Sequence, residues 1–169
     1  MKAKLIIDGK EIEIEISEEE YKKLQSAEEK KTGYERVSKS DIYFYTYPNG
    51  CVETACEDCY DIDDECYESA NYYSDKTVAE NNTRADNLMR QLRRFAVEHR
   101  ECGVNFNYIN TKKYYIYYDY GDDELRVSLG FCAKSFGAIY FDSEEIANTA
   151  IVEFYDELIW YFTEYKDSL

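Results

Sequence analysis

Two long runs of helical periodicity restrict the folds open to this chain. Ser74 caps about 25 residues in which Val78, Ala85, Leu88, Met89, Leu92, Phe95 and Ala96 fall on one stripe. Asp142-Ser143-Glu144-Glu145 opens a second helix, continuing to about Tyr165, with Ala147, Ala150, Ile151, Phe154, Leu158, Tyr161 and Tyr165 at core spacing. A helix with one apolar stripe needs a surface to cover. The segments between supply strands. Asp41 to Tyr47 is strand-like, Pro48-Asn49-Gly50 is a turn, and Cys51 to about Ala55 returns. Lys113 to Tyr120, a Gly121-Asp122-Asp123 turn, Glu124 to Cys132 and Gly137 to Phe141 read as a meander. The expected fold is α+β: an antiparallel sheet covered by two long amphipathic helices. No repeat of 20 to 50 residues shows, although strand-then-helix recurs three times.

An appendage precedes this body. Ile12, Ile14 and Ile16 alternate with Glu11, Glu13 and Glu15 after an Asp8-Gly9 turn, which predicts a β-hairpin over Leu5 to Ile16. Ser17-Glu-Glu-Glu20 is a capping box opening a short helix to about Gln25. The expected organisation is a hairpin–helix unit over 1–26, a linker over 27–33 and the main domain over 34–169. A lone hairpin and one short helix are not stable in isolation, so the unit must dock on the body or on a partner.

Charge and thiols narrow the function. The chain of 169 residues carries a formal net charge of −16 and 19 tyrosines, yet 44% of it is apolar, so a folded core is expected rather than an acidic disordered tail. An acidic field of this strength repels duplex DNA and anionic lipid and favours a basic partner. No apolar run approaches the length of a membrane span, and Leu5-Ile-Ile7 is too short for a secretion signal, so a cytoplasmic chain with reduced thiols is expected. Between Cys51 and Cys66 lie four cysteines and seven acids without one base. The acidic Cys-rich stretch that follows the strand returning to about Ala55 is expected as a loop running to Asn71-Tyr72-Tyr73. Cys51, Cys56, Cys59 and Cys66 are candidate metal ligands because a C-x2-C knuckle sets two thiolates on adjacent tetrahedral corners. Only one knuckle exists, the sole histidine, His99, is distant, and neighbouring carboxylates raise thiol pKa values. Plain thiols are therefore preferred over zinc or a disulfide, and no cofactor is expected. Asp61-x-Asp63-Asp64-Glu65 lacks the central glycine and terminal glutamate of a calcium loop. No phosphate-binding glycine loop and no nucleophile–base pair is legible, so an enzyme is not expected.

The charge is unevenly placed. Glu53, Glu57, Asp58, Asp61, Asp63, Asp64, Glu65 and Glu68 form one base-free block, and Asp119, Asp122, Asp123 and Glu124 gather at the later turn. A solvated, solubilising surface is one reading. The other is an imitation of the phosphate backbone offered to a Lys/Arg groove, with Tyr43, Tyr45, Tyr117 and Trp160 as anchors. Arg90, Arg93 and Arg94 make a basic ridge on the middle helix, serving either the chain's own carboxylates or a bound anion. Ile159, Trp160 and Phe162 leave the last helix apolar nearly all round, which calls for cover on both sides or for a dimer or partner patch.

Several segments carry a resemblance: Gly33-Tyr-Glu-Arg-Val37, Asn71-Tyr-Tyr-Ser-Asp75, Leu88-Met-Arg-Gln-Leu-Arg-Arg-Phe-Ala96, and Gly137-Ala-Ile-Tyr-Phe-Asp-Ser-Glu-Glu145 through Leu158-Ile-Trp-Tyr-Phe162. Over about residues 33 to 167 the chain resembles small accessory proteins encoded by phages and prophages of Gram-positive bacteria. The resemblance implies a setting rather than a site: anti-defence activity, such as inhibition of a CRISPR nuclease, in the cytoplasm of an infected or lysogenic host. The sequence thus points to a non-enzymatic inhibitor that binds a host defence protein with a basic groove and makes no direct contact with nucleic acid or membrane. The alternatives are a homodimeric sponge holding a nucleotide signal through Arg90, Arg93 and Arg94, and a phage assembly or regulatory protein working through its last helix.

Overall fold

A computed structural model of the chain describes residues 2–7, 10–15, 17–19, 31–101, 106–107, 111–131 and 133–165. The fold is α+β. Strands β1 (Lys2–Ile7) and β2 (Lys10–Glu15) form the N-terminal hairpin in antiparallel register, Ile7 facing Lys10. Its Asp8-Gly9 turn and most of the short helix expected after it lie outside the described residues.

The body contains two further hairpins. Strands β3 (Ile42–Thr46) and β4 (Val52–Cys56) pair antiparallel, with Tyr43 facing Ala55. Their turn closes through the Gly50 N–H donating to Tyr47 O at 2.8 Å. Gly50 has φ +84°, and a Cβ there would lie 2.7 Å from Asn87 Oδ1, so both backbone and space require glycine. Strands β5 (Lys113–Asp119) and β6 (Glu124–Gly130) pair in unbroken register, with Ile116 facing Val127. Among the described residues the body also holds helices α1 (Asp61–Glu68), α2 (Lys76–Glu98), α3 (Glu144–Glu153) and α4 (Tyr155–Thr163). The core lies where Leu88, Leu92 and Phe95 of α2 meet Phe141, Ala147, Ala150 and Leu158, with Ile116, Leu125 and Val127 of the second hairpin packed against them.

Five expectations need correction. The single covered sheet is two separate hairpins, and the expected strand over Gly137 to Phe141 is one bridge, Phe141 to Tyr114. The last helix is two: at Phe154 (φ −111°, ψ 23°) the coil breaks, and the ring sits edge-on to Phe95 at 5.7 Å. The cap of α2 is Asp75, whose carboxylate accepts from the Thr77 and Val78 N–H groups, while the Ser74 hydroxyl donates to Glu35. The acidic stretch expected as a loop contains α1.

The two hairpins also begin equivalent units. In the first, Tyr73 bridges back to Phe44, Asp75 caps α2, and Ala79 is wholly buried. In the second, Phe141 bridges back to Tyr114, Ser143 caps α3 with its hydroxyl accepting from the Ile146 N–H, and Ala147 is wholly buried. Tyr72-Tyr-Ser-Asp-Lys-Thr-Val-Ala79 and Tyr140-Phe-Asp-Ser-Glu-Glu-Ile-Ala147 therefore do the same work sixty-eight residues apart. That spacing is longer than the 20-to-50-residue period of common repeat architectures.

Candidate partner-binding surface

The acidic block divides into a buried framework and an exposed face. Glu57 is 1% exposed and Asp63 2%. Arg36 donates to Glu57 from Nε to Oε2 at 2.8 Å and from Nη2 to Oε1 at 3.0 Å, and its Nη1 reaches Asp64 at 2.6 Å. The Tyr72 hydroxyl donates to Glu57 Oε2 at 2.9 Å and accepts the Val37 N–H at 3.2 Å. The Cys59 N–H completes the set at 3.0 Å. Together the Arg36 bonds, against the penalty of burial and with help from Tyr72 and the Cys59 N–H, hold the Glu57 carboxyl down to about 2.

Asp63 serves as the cap of α1. As the third helical residue it accepts the Tyr60 N–H at 3.0 Å and the Asp58 N–H at 3.1 Å on Oδ2, while Oδ1 accepts the Tyr43 hydroxyl at 2.9 Å. Burial opposes its charge, but these three donors outweigh burial and keep its pKa below the ordinary value. Burial first, then Asp63, pushes the Tyr43 phenol upward. The Tyr43 ring, 1% exposed, stacks on Tyr72 at 4.0 Å. Glu57, Asp63 and Tyr43, expected on the surface, are thus withdrawn from it, each buried in hydrogen bonds to groups of the same network.

What remains outside is compact. Asp61, Asp64, Glu65 and Glu68 are exposed and fall at i, i+3, i+4 and i+7, on one flank of α1. Asp58, just before the helix, and Glu53, on β4, are also exposed. Tyr60 is 67% exposed and Ile62 58%, with Tyr67 exposed at the helix end. Tyr60, Ile62 and Tyr67 were not singled out by the sequence. Cys59 (φ 60°) before α1 and Ala70 (φ 57°) after it hold left-handed conformations that glycine would adopt more cheaply, by roughly 1–2 kcal/mol each.

The other expected residues do not join this face. Tyr45 is half-buried on β3 and Tyr117 on β5. Asp119, Asp122 and Glu124 all pair with Arg126, and Asp123 accepts the Tyr118 hydroxyl, so the acids of the later turn are tied up in contacts within the turn although they outnumber its one cation. That bond to Asp123, with burial, pushes the Tyr118 phenol up to about 12. Trp160 is buried: the Arg84 guanidinium lies 3.9 Å from its ring centre and is held there by Glu157 at 2.8 and 2.9 Å. It is a packed residue, not an exposed anchor.

Arg90, Arg93 and Arg94 are exposed on α2, Arg90 bonded to Asn87 and Arg94 3.9 Å from Glu98. Arg90 and Arg94 line an open groove of about 310 Å³ with Asn87 and Gln91, without an aromatic ring to stack on a base. Cys51 and Cys56 lie on the β4 hairpin, Cys59 before α1 and Cys66 within it, all as free thiols. Burial, then Asp58, raises the Cys56 thiol. Among the described residues no three acid, cysteine or histidine side chains gather around a common metal position. Among the same residues no helix is long and apolar enough to cross a membrane. No family model, curated protein or solved structure matches the chain.

Proposed function

We propose that the protein is a non-enzymatic inhibitor that presents the α1 face to the basic groove of a nucleic-acid-binding protein. The observation that carries this reading is the division of labour among the acids. Glu57 and Asp63 are spent inside, fixing α1 in place, while Asp61, Asp64, Glu65 and Glu68 stand in a row outside, with exposed Tyr67 on the same helix and exposed Tyr60 at its N-terminal edge. A pre-shaped anionic face with aromatic anchors loses little conformational freedom on docking and releases a partner's counterions as a phosphate backbone does.

Titration behaviour also favours binding over turnover. Among the described residues, every carboxylate with a displaced pKa (Glu35, Glu57, Asp63 and Glu157) is displaced downward. Such groups hold a fixed charge and are not poised to exchange protons near neutrality. The resemblance to phage accessory proteins supplies the setting of this proposal: a cytoplasmic partner of the CRISPR-nuclease type in an infected or lysogenic Gram-positive host.

The test is competition. Proteins of a Gram-positive lysate held on DNA-cellulose are challenged with the chain at about 50 mM and about 200 mM salt. The expected result is release of a retained protein at the lower salt and much weaker release at the higher. Release of nothing, or release indifferent to salt, contradicts the proposal.

A further inference from the structure

We propose that the outer edge of β6 is a self-association surface, on which a second copy of the chain pairs antiparallel about a two-fold axis through Val127. β5 is bonded on both sides, to β6 and, at Tyr114, to Phe141. Among the described residues β6 is bonded on one side only, and no backbone group pairs with its outer edge. Seven residues in unbroken register, with no proline and no bulge, are an unprotected template for another strand. Leu125 and Val127 pack against the core, whereas Leu129, on the same face of the strand, is left 40% exposed.

The edge is complementary to itself. With Val127 on the axis, Leu125 lies opposite the partner's Leu129, Arg126 opposite the partner's Ser128, and Glu124 opposite the partner's Gly130. Apolar meets apolar at each helix-side position, and no like charges face each other. A one-residue slip would turn the leucines to the wrong face, so the pattern specifies its register. The ends agree as well. Asp122, Asp123 and Glu124 stand where β6 begins, while Lys112 and Lys134 flank the end at which it finishes. Antiparallel pairing sets each acidic end beside the other copy's lysine end, a local attraction within a chain of net charge −16. Neither α1 nor the first hairpin takes part, so this surface is independent of the inhibitor reading.

Sedimentation equilibrium of the whole chain tests it. Wild type is expected to show a concentration-dependent dimer. Ser128 lies half-buried opposite Tyr115 on the strand face away from Val127, so exchange there leaves the core contacts of Leu125 and Val127 in place. Arg126 is already shared by Asp119, Asp122 and Glu124, so Ser128→Glu sets a further carboxylate against the partner's acids twice per interface and is expected to weaken the dimer roughly tenfold, whereas Ser128→Arg meets those acids and strengthens it by a similar factor. If the arginine variant does not fold, the glutamate variant still decides. A wild type that is monomeric at about 1 mM, or a dimer indifferent to both substitutions, overturns the proposal.

Discussion

Arg36 holds Glu57 with two nearly parallel bonds of 2.8 and 3.0 Å, joining the segment before β3 to the residue that follows β4. The pair gives stability a pH window. The folded Glu57 carboxyl is lowered from 4.5 to about 2, so its contribution is full above pH 4.5 and disappears as pH falls toward 2. Glu35, also lowered to about 2 by the Thr32 N–H and hydroxyl, loses its share in the same window. Arg36→Met should reduce stability at neutral pH and flatten the fall between pH 4.5 and 2. Urea midpoints of both proteins across that range check this, and identical acid profiles would show that the pair does not couple to folding.

Asp63 receives three donors in a space closed to water, so its removal strands them. Asp63→Ala should cost about 2 kcal/mol, and Tyr43→Phe about 1 kcal/mol. The double variant should cost less than the sum, because each single change already breaks the bond they share. Denaturant unfolding of the four proteins measures the coupling. Strict additivity would mean that the hydroxyl and the carboxylate act separately.

Periodicity exposed the two apolar stripes and all three hairpins, because burial of one face leaves a repeat in the residues themselves. It did not expose the break at Phe154, where the apolar spacing continues and only contact with Phe95 marks the interruption. Nor did it separate Glu57 and Asp63 from the exposed acids. An acid at the third position of a helix is a cap, and recognising Asp63 as one would have placed α1 inside the acidic stretch. The identity of Arg36 as partner of Glu57, twenty-one residues away, has no local trace. Trp160 looked free because the side chain covering it, Arg84, is itself a polar helix residue.

The equivalence of the two units predicts matched tolerance at Ala79 and Ala147, each wholly buried one turn past its helix cap. Ala79→Leu and Ala147→Leu should each cost about 1–3 kcal/mol, since a closely packed site has no room for the larger side chain. Ala-sized space on one side only would show as one tolerated substitution in thermal unfolding. Val97, exposed on α2, is the control: Val97→Leu should change stability by less than about 0.5 kcal/mol.

Trp160 should behave as a core residue. Trp160→Ala is expected to cost about 3–5 kcal/mol, and Arg84→Met, which removes the cation from the ring face and releases Glu157, about 1 kcal/mol. Neither change touches α1, so release of a protein from DNA-cellulose should survive at temperatures where the variants remain folded. Loss of release with stability intact would restore Trp160 as a contact residue.

The exposed flank of α1 makes the converse prediction. Asp61, Glu65 and Glu68 are exposed and form no ion pair among the described residues, unlike Asp64, which Arg36 engages. Their joint replacement by lysine leaves the Glu57 and Asp63 framework in place, so unfolding midpoints should shift little. Binding should fall at least tenfold, and the slope of log affinity against log salt should flatten by about 2–3, close to one unit per lost carboxylate. The same reversal at Asp122, Asp123 and Glu124 should affect binding far less, because Arg126 and Tyr118 already engage those acids. If the two triple variants lose affinity equally, general charge repulsion rather than the α1 face accounts for binding.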